Sequence, residues 1–183
     1  MSQDASLDAA LRELVDAAAF SDRLTPYPDE SALPSALALS SLFELFESNY
    51  RGLRRLLPDL RERSAGSSFA GRATSAPTLY LLIEDQSPYT TTLRMTHRFG
   101  AHGTRQPDLA VRIFHDARQA EVLDRFCRQA EGHVVASDLP DQRSLYCRLQ
   151  HSRFLNRWLE LLHTRRYAFD VGASALKSSE VRR

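Results

Sequence analysis

The fold of this chain is decided by residues 78–115, which read TLYLLIEDQSPYTTTLRMTHRFGAHGTRQPDLAVRIFH. Apolar and polar residues alternate over residues 78–84, 89–99 and 108–115, and a period of two is typical of half-buried strands. The residues Asp85-Gln86-Ser87-Pro88 form a turn signal, and a glycine-containing stretch separates the second run from the third. The pattern therefore predicts three consecutive strands in an antiparallel meander.

The alternation divides the predicted sheet into two faces of different chemistry. One face is mainly aliphatic and is expected to lie under helices: Leu79, Leu81, Ile83, Leu93, Met95, Leu109, Val111 and Ile113. The opposite face carries arginines, aromatic rings and one carboxylate: Tyr80, Glu84, Arg94, Arg98, Arg112 and Phe114. Guanidinium groups bind anions and aromatic rings stack on bases, so we expect these six residues to bind a ligand. The alternative is a solvated face on which Glu84 pairs with Arg94 or Arg112.

Helical periodicity surrounds the strands on both sides. Ser41 and Glu44 match a capping box, after which apolar residues recur at helical spacing up to Pro58. Residues 142–165 carry a broad apolar stripe and are predicted to be the main helical contribution to the core. Residues 64–77 are rich in Ser, Gly and Ala and are predicted to form a loop.

A basic cluster lies on or after the polar side of the first of these helices. It consists of Arg51, Arg54, Arg55, Arg61 and Arg63. Such a cluster can meet an acidic partner, a phosphate group or an acidic segment of the same chain.

The segment after the third strand is predicted to hold a helix and a further strand. Asp116 can accept hydrogen bonds from the first turn of a helix, so a helix through Cys127 is expected. Residues 132–136 are predicted to form a weaker strand. The elements together predict an α+β domain, with an antiparallel sheet of three to four strands and about three helices packed on one face.

An acidic N-terminal arm is predicted to precede this domain. Residues 1–47 hold nine acidic and two basic residues, whereas residues 48–183 hold fourteen acidic and twenty-two basic residues. Residues 1–36 combine an amphipathic helix with a proline-rich linker, residues 37–169 form the α+β domain, and residues 170–183 are predicted to be a disordered tail. The arm is expected either to dock on the basic body, in cis or in trans, or only to solubilise the N-terminus.

Cysteine usage and hydropathy favour a cytoplasmic protein without a metal or a cofactor. Cys127 and Cys147 are isolated and are interpreted as reduced packing thiols. The acidic N-terminus does not resemble a secretory or transit peptide, and no apolar run approaches the ~20 residues of a membrane-spanning helix. Metal-ligand spacings, nucleotide-binding fingerprints and nucleophile motifs are missing from the sequence.

A catalytic role is the main alternative to binding. His115 and Asp116 stand at the end of a predicted strand, and Glu121 follows on the predicted helix. These residues are the candidate acids and bases of a small phosphate-ester or nucleotide hydrolase. Against this role, adjacent strand residues point to opposite faces, and Asp116 is accounted for as a helix cap.

Short stretches across residues 42–163 match a known family. They are Asn49-Tyr50, Leu53–Pro58, Tyr89–Thr91, Val111–Ala117, Ala120–Val122, Phe154-Leu155 and Trp158-Leu159. On these residues the chain resembles the YqiB-like family of uncharacterised proteobacterial proteins, and the resemblance implies no established activity. The acidic arm is longer than in that family, and residues 137–148 lack its Tyr-Pro and charged pattern.

The sequence therefore favours a cytoplasmic, non-catalytic binding or regulatory module. Its partner is expected to be an unidentified protein or an anionic small molecule held on the arginine-bearing sheet face. An RNA-associated role is a further alternative, but the sequence contains no ribonucleoprotein signature and nucleic acid is not favoured. No membrane association is expected.

Overall fold

The computed structural model describes residues 35–99, 104–123 and 140–169, and two helices and six strands lie in these ranges. Helix α1 spans Ser35–Leu56 and helix α2 spans Pro140–Thr164. The strands are β1 (Ser68–Arg72), β2 (Leu79–Gln86), β3 (Thr90–Phe99), β4 (Thr104–Phe114), β5 (Gln119–Leu123) and β6 (Ala168–Phe169). Neither helix combines the length and apolar character needed to cross a membrane.

The strands form one antiparallel sheet in the order β5-β4-β3-β2-β1-β6. Strands β1 to β5 follow one another as a meander, and β6 returns after α2 to pair with β1. Leu81 lies opposite Met95, and Leu93 lies opposite Val111. Because residues that face each other across a ladder share a face, this register collects the aliphatic residues on one side of the sheet.

Both helices pack on the aliphatic face. The helical side chains in the main core cluster are Leu53 and Leu56 of α1 and Leu155, Trp158, Leu159 and Leu162 of α2. They contact Leu79, Leu81, Ile83, Leu93, Met95, Val111, Ile113 and Ala120 of the sheet. Complete burial of such a side chain contributes about 1.5–3 kcal/mol, so this layer is the principal source of stability.

Polar contacts align the two helices. Asn49 is fully buried, and its side-chain amide donates to the backbone carbonyl of Ser152 across 3.1 Å. Nε2 of His163 lies 3.0 Å from the carbonyl oxygen of Gly52, and this carbonyl accepts its proton. A Cβ atom at Gly52 would lie 3.1 Å from Cδ1 of Leu159, so the glycine allows the close approach of α1 and α2.

The α+β class and the antiparallel sheet are confirmed, but the numbers of elements differ from those predicted. The described residues contain six strands rather than three to four, and two helices rather than about three. Residues 119–123 form β5 in a hairpin with β4, where a helix was expected. Residues 68–72 form β1 inside the predicted loop. Ser41 lies within α1, so it does not cap the helix.

Four sequence predictions fall outside the described residues. They are the acidic arm before residue 35, the strand at residues 132–136, the tail after residue 169 and the packing of the two cysteine side chains.

Candidate ligand-binding site

The six predicted ligand-binding residues all lie on the sheet face opposite α1 and α2, which we call the uncovered face because neither of these two described helices packs on it. Tyr80 pairs in register with Thr96, and Arg94 lies between Leu82 and Ala110 on the neighbouring strands. These positions alternate with the core positions, while α1 and α2 pack on the other side. The same alternation places Glu84, Arg98, Arg112 and Phe114 on the uncovered face.

The uncovered face has two separate ends. Arg98 and Tyr80 lie toward the β3–β4 connection, and Arg112 and Phe114 lie toward the β4–β5 turn. Arg112 is opposite Thr92, six residues along β3 from Arg98, which corresponds to about 20 Å in an extended strand. A small ligand therefore contacts only one end.

The middle of the uncovered face is occupied by an internal ion-pair cluster. Nε of Arg94 donates to Oε1 of Glu84 across 2.5 Å, and Nη1 donates to Oδ2 of Asp108 across 3.2 Å. Burial opposes the charge of Arg94, but the hydrogen bonds and charges of the two carboxylates outweigh burial and raise the pKa. The pairing of Glu84 with Arg94, which was the alternative to ligand binding, is thus present.

Arg98 has a buried hydrogen-bonding edge without an acceptor at one end of this face. Its guanidinium carbon lies 4.8 Å from the centroid of the Tyr80 ring. The Nε and Nη2 atoms of Arg98 are buried and have no hydrogen-bond partner in the described part of the chain. Arg105 stands directly opposite Arg98 in the β3–β4 register. Positive charge is therefore concentrated beside two N–H groups that lack acceptors.

In Arg63, the edge formed by Nε and Nη2 binds a carboxylate. Nε and Nη2 of Arg63 both donate to Oδ2 of Asp59, across 3.1 Å and 2.8 Å. Arg63 also lies over an aromatic ring, with its guanidinium carbon 4.2 Å from the centroid of Phe69. Arg63 and Arg98 thus share the ring contact, but only Arg63 has a carboxylate on this edge among the described residues.

The opposite end of the uncovered face is joined to helix α2. Arg112 faces Glu121 across the β4–β5 ladder. Oε2 of Glu121 accepts a hydrogen bond from Nη2 of Arg148 across 2.7 Å. Phe114 is half-buried and pairs in register with Gln119 of β5. The carboxylate at this end therefore connects the sheet to α2.

The three catalytic candidates are not brought together. His115 is only 6% exposed and lies on the helix side of the sheet, where its Nε2 is 2.8 Å from Oγ1 of Thr91. Glu121 lies on the uncovered face. Asp116 is exposed in the turn that joins β4 to β5. The helix-cap prediction for Asp116 is wrong, because a turn and a strand follow it.

Sequence reasoning missed the surroundings of His115. The Tyr50 ring of α1 meets the His115 ring edge-on, with 6.2 Å between the centroids. Burial lowers the pKa of His115, and the charges of Arg61 and Arg54 lower it further, while Asp116 acts in the opposite direction. The basic cluster predicted on α1 was a signal for this grouping, but the docking of α1 was needed to place it beside His115.

Potential metal ligands are not clustered in the ranges that the structure describes. No group of three or more His, Cys, Asp or Glu residues there has the arrangement needed to hold a metal ion.

Comparison with known proteins places the chain in an uncharacterised family. Residues 52–168, more than half of the 183-residue chain, match the family described as Protein of unknown function (DUF1249). No curated protein and no solved structure matches the chain. The match supports an uncharacterised family, as expected from the sequence, and leaves the YqiB-like likeness as a resemblance.

Proposed function

Because the chain belongs to the DUF1249 family of proteins of unknown function, its role has to be inferred from its own residues, and we propose that it is a non-catalytic binding module for a carboxylate-bearing small molecule. The binding site is the end of the uncovered face formed by Tyr80, Arg98 and Arg105. A cytoplasmic location, expected from the cysteine usage, belongs to the same proposal.

The unused edge of Arg98 carries the proposal. A buried donor without an acceptor costs about 1–3 kcal/mol, and more when the donor is charged. Nε and Nη2 present parallel N–H groups whose spacing matches the two oxygens of a carboxylate. Binding of a carboxylate would satisfy both donors of Arg98, and in the case of Arg63 a single oxygen of Asp59 accepts from both.

The neighbouring side chains suit an anion held in this way. Tyr80 supports one side of the guanidinium plane and limits the movement of Arg98. Arg105 faces Arg98 across the β3–β4 ladder and adds positive charge to this end of the face. Arg94 is already held by two carboxylates, so it positions the strands rather than contacting the ligand.

Citrate is a suitable probe, because it offers several carboxylates to adjacent guanidinium groups. Isothermal titration calorimetry on the full chain should show saturable citrate binding. Arg98→Gln removes the charge and the fork and should weaken binding about tenfold or more, since a hydrogen bond to a charged group contributes about 1.5–3 kcal/mol.

Arg112→Gln is the matched control, because it removes the same charge from the other end of the same face. It should leave citrate affinity within about twofold of the unmodified protein. An equal loss of affinity in the two variants would contradict a small-ligand site at Arg98. An Arg98→Gln variant that keeps full affinity would also contradict it.

A further inference from the structure

A second group of unpaired polar atoms lies on the helix side of the sheet, away from the proposed carboxylate site. His115 belongs to this group and follows β4, close to Tyr50 of α1. Its Nδ1 atom is buried and lacks a hydrogen-bond partner among the residues described. Nη1 of Arg54 is likewise buried and unpaired. Tyr50 and Arg54 are four residues apart on α1, which places them on the same side of the helix.

The hydrogen bonds of Thr91 determine which nitrogen of His115 carries the proton. The Thr91 hydroxyl donates its single proton to Oε1 of Gln86 across 2.8 Å. Thr91 Oγ1 must therefore accept from Nε2–H of His115, at 2.8 Å. In the neutral ring, Nδ1 is then a hydrogen-bond acceptor whose lone pair is unused.

Burial and nearby positive charge favour the neutral form of this imidazole. Burial and the charges of Arg61 and Arg54 lower the pKa of His115. Asp116 is the acidic group that acts on His115 in the opposite direction, and it is exposed in the β4–β5 turn. His115 thus offers an uncharged acceptor in surroundings made positive by Arg54 and Arg61.

We propose that Arg54, Arg61 and His115 form a binding site for a phosphate group that carries a P–OH. The phosphate oxygens accept hydrogen bonds from the unpaired Nη1 of Arg54 and are held by the charge of Arg61. The P–OH donates to Nδ1 of His115. A single ligand group then satisfies both the unpaired donor and the unpaired acceptor, each of which would otherwise remain buried without a partner.

The requirement for a proton on the ligand distinguishes this site from a simple basic patch. Sulfate has a similar size and tetrahedral geometry but carries no proton near neutral pH. Sulfate can accept hydrogen bonds from the arginines, but it cannot donate one to Nδ1 of His115. The lone pair of Nδ1 would then face a sulfate oxygen. A patch that acts by charge alone would not prefer phosphate.

The first test compares inorganic phosphate and sodium sulfate on the unmodified full chain, by calorimetry near neutral pH. Phosphate should bind at least about tenfold more tightly than sulfate, which corresponds to one hydrogen bond to an otherwise unpaired group. Equal affinities, or binding of neither anion, would overturn the proposal. This comparison needs no variant and so does not depend on the stability of one.

The second test uses Arg54→Gln, with Arg55→Gln as its matched control on the exposed side of α1. Arg54→Gln should weaken phosphate binding about tenfold or more, and Arg55→Gln should change it less than about twofold. Similar effects of the two substitutions would overturn the site and indicate general attraction to the helix.

A nitrogen-15 spectrum of the His115 ring adds a direct readout. Phosphate should shift Nδ1 strongly and Nε2 weakly, and absence of any ring response to saturating phosphate would overturn the role of His115. The site is independent of the proposed carboxylate site: Arg98→Gln should reduce citrate binding and leave phosphate binding unchanged. Citrate binding and phosphate binding therefore test the two proposed sites separately.

Discussion

Trp158 donates its indole N–H to Nε2 of His97 across 3.4 Å, in the interior between α2 and β3. Nδ1 of His97 lies 3.1 Å from the carbonyl oxygen of Thr78, which accepts its proton. The two contacts assign the neutral form of the ring with the proton on Nδ1. Burial lowers the pKa of His97 to about 4, although the hydrogen bond to Thr78 acts in the opposite direction.

This relationship predicts that the protein loses stability on acidification. The unfolded chain takes up a proton on His97 at the ordinary pKa of 6.5, whereas the pKa in the folded protein is about 4. The free energy of unfolding should therefore fall as the pH decreases through this interval, by on the order of 3 kcal/mol for a shift of this size. Urea unfolding at several pH values measures the effect. His97→Gln should flatten the pH dependence, and an unchanged slope would show that other groups cause it.

The contact between Gly71 and Phe169 predicts a steric requirement at the β1–β6 pair. A Cβ atom at Gly71 would overlap the ring of Phe169, with Cζ at 2.7 Å. Gly71→Ala should therefore lower the free energy of unfolding by about 1–3 kcal/mol, as overpacking of a close contact does. The same substitution should cost less in a Phe169→Leu background. Equal costs in both backgrounds, measured by chemical unfolding, would contradict the role of the ring.

Arg94 is predicted to support the fold rather than the ligand. Its two ion pairs are partly exposed, at 24% for Arg94, 31% for Glu84 and 30% for Asp108, so each contributes about 0–1 kcal/mol. Arg94→Gln should reduce stability by about 1 kcal/mol at low salt and by less at high salt. Citrate affinity should stay close to that of the unmodified protein, and a loss comparable with that of Arg98→Gln would place Arg94 in the binding site.

Asp116 is predicted to tolerate substitution. It is exposed in the β4–β5 turn and does not cap a helix, so Asp116→Ala should change the free energy of unfolding by no more than about 0.5 kcal/mol. Arg118 in the same turn has φ of 55°, and Arg118→Gly should be tolerated or slightly stabilising. Thermal unfolding of both variants tests these expectations. A loss of about 1–2 kcal/mol for Asp116→Ala would contradict the description of Asp116 as an exposed turn residue without a stabilising contact.

The middle strands of the sheet and the two long helices could be predicted from the sequence, because their apolar residues keep a regular spacing over many residues. It was insufficient for β5, since Ala120 and Leu123 also have the spacing of one side of a helix, and pairing with β4 decides between the two structures. Strand β1 was missed because small residues in its sequence SFAGR favour a loop by composition. Its pairing in the sheet depends on a distant residue, Phe169, whose ring packs against Gly71.

The composition of the uncovered face was predictable from alternation, but the pairing of its charged side chains was not. Whether an arginine is paired depends on register: Asp108 reaches Arg94 from the next strand, whereas Arg98 faces Arg105. The His115 site depends in addition on how α1 docks, because Tyr50 and Arg54 are more than sixty positions away in the chain. Local patterns carry no information about such contacts.

The most direct test of the central claim is a nitrogen-15 spectrum of the arginine Nε groups recorded during a citrate titration of the full chain. The signal of Arg98 should shift in a saturable manner, with the same midpoint as the calorimetric titration, while the signals of Arg94 and Arg112 stay in place. Citrate binding with an unchanged Arg98 signal, or no shift of Arg98 at any citrate concentration, would contradict the account.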